Sequence, residues 1–413
     1  MCAGSQAIAV VGGGTAGAAS ALFLARAGHR VTLFERVPDP SAVGAGILLQ
    51  PTGMLVLNRL GLLDEVASHC APIEKLYGTK GISAKESMVL DVHYRHYAPN
   101  SFGLGLHRGV LFSALWHALA GAGVDVRSGV DVHDIAQTAD QAQLYGTGAE
   151  LGSYDCVIIA DGSRSKLRGK LAIPVSVKPY PWGALWAMLP DDGTTPKTLR
   201  QWFCNAHQML GLMPTGFGWQ QKQAPLLSFF WSLHQNDLAP WRDGGLDQWK
   251  KTVLALAPIS SVLDHIKDPA QLTFASYADI AMPFWHDRRV VCIGDCAHAT
   301  SPQLGQGANL ALVDAMTLAQ CIAEQGDIPS SLAAYSKQRK AHLRYYQNAS
   351  RLLTPLFQSH SRVGSGLRDL FLGAICRAPY TRRQMSLTLS GTKAGWIHGS
   401  LPVDNDEIFG GHK

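Results

Sequence analysis

Ala7-Ile8-Ala9-Val10-Val11-Gly12-Gly13-Gly14-Thr15-Ala16-Gly17 is the stretch that decides the fold. Five apolar residues run straight into a glycine turn, and an Ala-rich segment follows as far as Gly28. That order predicts a buried parallel strand, a tight turn and a helix. Gly12 permits the turn, Gly14 lets backbone approach a pyrophosphate, and Gly17 allows the helix to pack on the strand. The free N–H groups of the helix N-terminus then face the phosphates, and Gly28 is placed to cap the far end. A second apolar strand, Val31-Thr32-Leu33-Phe34, delivers Glu35, where a carboxylate can accept from ribose hydroxyls. A glycine turn alone is weak evidence, because many tight turns imitate it. Strand, turn, helix, strand and acid in sequence make a dinucleotide-binding unit.

Far along the chain a second glycine-rich segment repeats the theme: Val291-Cys292-Ile293-Gly294-Asp295-Cys296-Ala297-His298, then Pro302-Gln303-Leu304-Gly305-Gln306-Gly307-Ala308-Asn309. Val290 to Ile293 reads as a last strand of the same lobe, ending at Gly294-Asp295, and residues 307 to 325 read as a helix closed by Gly326. Backbone N–H groups ahead of that helix offer a second site for an anion or a ring edge. Two such turns at opposite ends of one lobe imply one long ligand. An adenine dinucleotide with an extended ribityl chain and ring system meets that description.

Between these segments the pattern changes. Val89-Leu90-Asp91-Val92-His93-Tyr94 alternates like a strand, whereas Val110 to Ala120 has helical spacing and Cys156-Val157-Ile158-Ile159-Ala160 is another buried strand ending at Asp161-Gly162. From Tyr180 to about Tyr277, short aromatic strands alternate with Pro and Gly turns, and Trp182, Trp186, Trp202, Trp219 and Trp231 concentrate there. Aromatic residues at strand spacing are read as core rather than as a ligand cage. The expectation is an α/β protein with a Rossmann-like dinucleotide lobe (1–72, 99–179 and 277–345), an antiparallel-sheet substrate lobe (73–98 and 180–276) and a helical C-terminal segment (346–413).

Composition agrees. With 413 residues the chain exceeds one ordinary core, so two lobes are expected. Hydrophobic residues make up 46% and charged residues 16%, which argues against disorder. The net charge of +5 comes without a dense Lys/Arg block interleaved with aromatics, so nucleic acid is not an expected partner. No stretch has the length of a membrane span. The uncharged first 25 residues are already explained as strand and phosphate turn, and they lack the basic start of a signal peptide. Eight scattered cysteines form no C-x-x-C pair and suggest a reducing cytoplasm. Cys292 and Cys296 have apolar neighbours and read as packing residues; no metal site is expected.

Gly12-x-Gly14-x-x-Gly17 with Glu35, Arg108 opening a helix, Asp161-Gly162-Ser163-Arg164-Ser165-Lys166-Leu167-Arg168, and Gly294-Asp295 with Pro302-x-x-Gly305-Gln306-Gly307-x-Asn309 closely resemble the single-component FAD-dependent aromatic hydroxylases, the para-hydroxybenzoate hydroxylase family. The resemblance covers roughly residues 5 to 350. It implies that Glu35 holds the adenosine ribose, with Thr15, Ala16 and Arg36 beside it in the cofactor site. It places Arg108 along the FAD phosphates, Asp295 on the ribityl chain or pyrophosphate, and Pro302 to Asn309 around the isoalloxazine edge. Asp161 and Gly162 fall in a motif tied to both FAD and NADPH. The chemistry implied is hydroxylation of an aromatic or heteroaromatic small molecule by a flavin hydroperoxide, with NADPH or NADH as transient reductant and molecular oxygen as co-substrate.

The residues are consistent with that. A helix N-terminus near Gly305 to Asn309 would stabilise the anion of reduced flavin, and no second G-x-G-x-x-G follows a strand, so the nicotinamide cofactor has no dedicated Rossmann unit. For a catalytic base the candidates are His207, Tyr94 and His96, expected in strands of the substrate lobe. His298 is read as shaping the flavin loop. Two alternatives stay open: a flavin oxidase or dehydrogenase on the same scaffold, and a non-catalytic flavin-binding redox sensor. Leu353 to Leu372 has helical apolar spacing with Arg351, Arg362 and Arg368 interspersed. It is read as a tail packed on the first lobe or on a partner subunit in an oligomer, with a basic membrane-contacting face as the alternative.

Overall fold

The expected strand, turn and helix form as read: strand Ala7–Val11 leads through the glycine turn into helix Thr15–Arg26. Gly28, at φ +89°, follows the last helical turn, where a left-handed residue closes a helix without steric cost. The structure is a computed structural model that describes residues 4–41, 44–81, 87–219, 224–359, 373 and 375–410.

Ala7–Val11 is one of the two central strands of a six-stranded sheet, ordered 286–287, 290–292, 156–159, 7–11, 30–35, 125–128. All its pairings are parallel except that of the two-residue edge strand His286–Asp287. Such strands are covered on both faces, which is why Ala7–Val11, Cys156–Ile159 and Val290–Cys292 read as unbroken apolar runs. Helices Thr15–Arg26 and Gly307–Glu324 pack against each other, and the long helix Ile328–Phe357 packs on the second of these.

The second lobe is a seven-stranded sheet, ordered 273–281, 176–190, 226–234, 208–216, 198–204, 75–80, 87–93. It is antiparallel except where 75–80 joins 198–204 in parallel. Period-two alternation sorts its side chains. Leu185, Trp202, Leu212, Phe229 and Trp231 pack under Trp249, Val253 and Val262 from the helices beyond. On the other face Met213 meets Leu48 and Tyr94, and Phe203, Met209 and Phe230 meet Val89 and Phe357. A small sheet of 46–49, 103–107 and 71–73 joins the lobes. Its Gly46 and Gly105 lie against the large sheet so closely that an added Cβ would stand 2.6 Å from Ser228 Oγ and 2.1 Å from Pro214 O.

Three sequence expectations differ from the observed chain. Strands Ser176–Pro190 and Thr273–Ala281 pair with each other across the limits drawn at 180 and 276, because hydrogen-bonded pairing continues past the aromatic cluster that marked the lobe. Helix Ile328–Phe357 runs unbroken across 345/346, capped by Asp327, whose side chain accepts from Ser330 N. Trp219 is not in the large-sheet core; its ring lies between those of His69 and His117, at 5.0 and 5.3 Å. The tail helix expected over Leu353 to Leu372 is seen only to Phe357, and Arg362 and Arg368 lie outside the described residues. Among the described residues, no helix is long and apolar enough to cross a membrane.

Candidate functional site

At the first turn, Gly12 has φ +104° and Gly17 is in such close contact that a Cβ would stand 1.9 Å from Gly12 O. Gly14 is different: nothing lies within 4 Å of where its Cβ would be, so the turn faces open space there. Thr15 and Ala16 begin the helix, whose first N–H groups have no intrahelical acceptor. Glu35 reaches this turn from the end of the second strand. One carboxylate oxygen accepts from Gly13 N at 2.8 Å and the other from Val37 N at 3.0 Å. Arg36 next to it is exposed.

The late segment, expected at the opposite end of the lobe from the first glycine turn, instead folds back onto the same place. Gly294 has φ +62°, and its Cβ would stand 2.9 Å from Ala16 Cβ, so the two turns touch. Because strands 7–11 and 290–292 run the same way, helices Thr15–Arg26 and Gly307–Glu324 both begin at the carboxyl edge of the sheet, the edge at which open α/β sheets bind ligands. Pro302 opens a single 3₁₀ turn, Gly305 follows at φ +61° facing open space, and Asp295 Oδ1 lies 3.8 Å from the Cβ position of Gly307. Asp161 and the open Gly162 come from the adjoining strand end, and Arg168 ties this loop to the late segment by donating to Cys296 O at 2.7 Å. Burial pushes the Asp161 carboxyl above its usual range, opposed by a hydrogen bond from Ser165. Arg108 opens helix Arg108–Gly121, its aliphatic stem lying on Gly44.

Asn309 is fully buried, and its amide is used within the protein. It accepts from Gln50 N at 2.8 Å and donates to Leu48 O and Gly305 O at 3.1 and 3.2 Å. Its side chain therefore holds the 305 turn against strand Gly46–Leu49. Glycines at 14, 162 and 305 that meet nothing, two adjacent helix N-termini and a ribose-type carboxylate lie along one open edge. This donor set fits FAD.

Sequence reasoning missed what stands behind that edge. Asp314, fully buried in helix Gly307–Glu324, accepts from Gly294 N at 2.9 Å, His298 Nε2 at 2.5 Å and Arg339 Nε at 2.7 Å. Burial alone would raise its pKa, but the facing His298 and Arg339 hold the carboxyl well below the usual carboxylate range. Arg339 Nη1 donates in turn to His342 Nδ1 at 2.5 Å, so His342 carries its proton on Nε2 and donates to Gly391 O at 2.7 Å. Burial and the neighbouring guanidinium lower His342 to about 3. One signal was available: Asp314 is the only charged residue between Gly307 and Ala323.

The three candidate bases are not in strands, and the structure brings Tyr94 and His96 into one turn but not His207 to them. Tyr94 and His96 occupy a 3₁₀ turn after strand Ser87–His93, and His207 sits in the hairpin turn before strand Gln208–Gly216. Along that strand His207 is about 20 Å from Met213, which shares an apolar cluster with Tyr94. Tyr94 is fully buried and donates its hydroxyl to Gln50 Oε1; burial pushes the phenol well above its usual range. Burial, then the charges of Arg382, His93 and Arg95, lower His96.

Comparison with known proteins agrees with this geometry. Residues 5–349 match the family described as FAD binding domain. The chain is 27% identical over 340 residues to a 3-hydroxybenzoate 6-hydroxylase of Klebsiella oxytoca, covering 80% of this chain and 83% of that one. It is 28% identical over 351 residues to a 6-hydroxynicotinate 3-monooxygenase of Bordetella bronchiseptica, covering 80% and 86%. Among solved structures, Klebsiella pneumoniae HpxO complexed with FAD and uric acid superposes with a TM-score of 0.79 at 20% identity, over 92% of this chain and 97% of that one. The chain belongs to the FAD-dependent aromatic hydroxylase family and is an FAD-dependent monooxygenase.

Proposed function

We propose that this enzyme hydroxylates an aromatic or heteroaromatic small molecule with an oxygen atom from molecular oxygen, taking electrons from NADPH or NADH. The observation that carries the reading is the contact of Gly294 with Ala16, which sets two helix N-termini side by side over the open glycine edge. When bound there, FAD supplies the redox and oxygen chemistry. Glu35 would hold the adenosine ribose, the N–H groups at Thr15 and Ala16 the pyrophosphate, with Arg108 and Asp295 beside it, and the 305–309 corner the ring edge. The helix N-terminus after Gln306 favours negative charge on that edge.

For the substrate we propose the inner face of the seven-stranded sheet opposite Leu48, where Met213, Thr215 and Phe230 line an apolar, water-poor wall. The division into a cofactor lobe and a substrate lobe follows from the same reading. The curated relatives act, by their names, on hydroxylated benzoate and nicotinate rings, which supports a small planar substrate. Proton removal from such a ring is proposed for His96 or His207. Tyr94 instead orients the Gln50 amide, since its own proton is committed there. The test is turnover with a panel of phenols and hydroxypyridines under labelled dioxygen. Label in the product, with stimulated NADPH or NADH oxidation, is expected. Oxidised product without label indicates a flavin oxidase or dehydrogenase, and no stimulated oxidation by any ring points to a flavin-binding sensor.

A further inference from the structure

The family match ends at residue 349, yet a later segment reaches the cofactor edge. Helix Pro379–Leu389 ends in a turn whose carbonyls are claimed one after another by the first lobe. Gln306, buried and directly ahead of Gly307, donates Nε2 to Leu389 O at 2.8 Å and to Thr388 O at 3.3 Å. Thr52 N donates to Ser390 O at 3.3 Å, and His342 Nε2 to Gly391 O at 2.7 Å. Gly391 has φ +86°, and a Cβ there would stand 2.1 Å from Thr52 Oγ1, so the turn is seated without slack.

We infer that the turn Thr388–Gly391 is a positioning element of the FAD site, fixing the N-terminus of helix Gly307–Glu324 through Gln306 and the Gly294 turn through His342, Arg339 and Asp314. Two routes run from it. The short one passes from the Thr388 and Leu389 carbonyls to the Gln306 side chain, whose backbone opens the corner proposed to hold the flavin ring. The longer one passes from Gly391 O through His342 Nε2 and Nδ1 to Arg339, then to the Asp314 carboxylate and the Gly294 N–H. Every side chain on both routes is buried, so a shift of the turn has no solvent to absorb it. Gln306, His342, Arg339 and Asp314 act on the cofactor by setting backbone N–H positions and are positioning residues.

This inference rests on the reading that FAD lies along the 305–309 corner, and the experiment separates the two. Gln306→Leu removes the tie at nearly constant volume. It is expected to raise the FAD dissociation constant of the apoprotein about tenfold and to shift the flavin reduction potential of the holoprotein. Glu407→Ala, which loosens the same C-terminal tail from Arg59, is expected to change neither. Gly307→Leu reports on the site itself. If it weakens FAD while Gln306→Leu moves neither affinity nor potential, the positioning role is overturned. If neither variant affects FAD, the site reading falls and takes this inference with it. The wild-type protein gives an arm free of folding artefacts. Adding FAD is expected to slow amide exchange of Gly391 and Thr392, whose N–H groups bond Thr388 O and Leu387 O, because coupling between the turn and the cofactor is reciprocal. Unchanged exchange overturns the proposal.

Discussion

The backbone N–H of Gly294 donates to the carboxylate of Asp314 at 2.9 Å, across a turn that the sequence marks only by its glycine. Asp314 stands behind the open glycine edge, and its carboxylate holds the φ +62° residue of the late turn. Its charge is balanced by Arg339, and the two are 0% and 1% exposed in their side chains. A buried carboxylate tolerates such a place only when it is paired and hydrogen-bonded, and here three donors meet it.

Removing the acid leaves the Arg339 guanidinium buried without a counter-charge. Asp314→Ala is therefore expected to lower stability by about 3–5 kcal/mol, the range for breaking a buried pair from one side. Thermal unfolding of the apoprotein checks it. A loss below about 1 kcal/mol, the range of surface pairs, would show that the pair is solvated.

His342 predicts a pH dependence with a definite sign. Its folded pKa lies near 3 and its unfolded value near 6.5, so between these the unfolded chain binds a proton that the folded chain refuses. Its contribution to stability is complete above pH 6.5 and is lost as pH falls toward 3, at up to about 1.4 kcal/mol per pH unit. His342→Gln keeps an N–H for Gly391 O and an acceptor for Arg339 but cannot titrate. Its acid unfolding limb is expected to be shallower over that window; curves that stay parallel from pH 6.5 downward count against it.

Glu35 is the most direct test of the cofactor reading. Both its oxygens already accept backbone N–H groups, so the carboxylate is held in place before any ligand arrives. Glu35→Gln replaces an acceptor by a donor and is expected to weaken FAD about ten- to a hundredfold, the value of a charged hydrogen bond. Fluorescence titration of apoprotein with FAD reads this. An unchanged dissociation constant would move the ribose elsewhere.

How much the sequence revealed depended on how far apart the partners lie along the chain. The 7–17 turn and Glu35 were legible because strand, turn and acid are contiguous and each has a steric reason. The Asp314, Arg339, His342 and Gly391 relay was not, since its members come from two helices and a terminal turn and each alone reads as an ordinary polar residue. Tyr94 and His207 were misplaced for a related reason. Alternation identifies a strand but not the residue at which it turns, and both lie just outside strand ends.

Tyr94→Phe separates orientation from proton transfer. The variant leaves Gln50 Oε1 buried without its donor, at an expected cost of about 1–3 kcal/mol. The pH dependence of turnover is expected to be unchanged, because the Tyr94 phenol is held protonated well above the working range. A profile that loses its limb in this variant would make Tyr94 the proton acceptor after all.

Gly13 was the one glycine of the first turn without an assigned reason, and the structure supplies one. A Cβ there would stand 2.4 Å from Trp116 Cζ3, so the indole of helix Arg108–Gly121 occupies the volume a side chain would need. Gly13→Ala is expected to cost about 1–3 kcal/mol through overpacking, and the cost should shrink when Trp116 is also cut to Leu. The coupling in a double-mutant cycle, read by thermal unfolding of the four apoproteins, is expected to exceed about 0.5 kcal/mol. Additive losses would mean that Gly13 is needed for its backbone alone. In that case the indole is a neighbour of the turn, not the reason for the middle one of its three consecutive glycines.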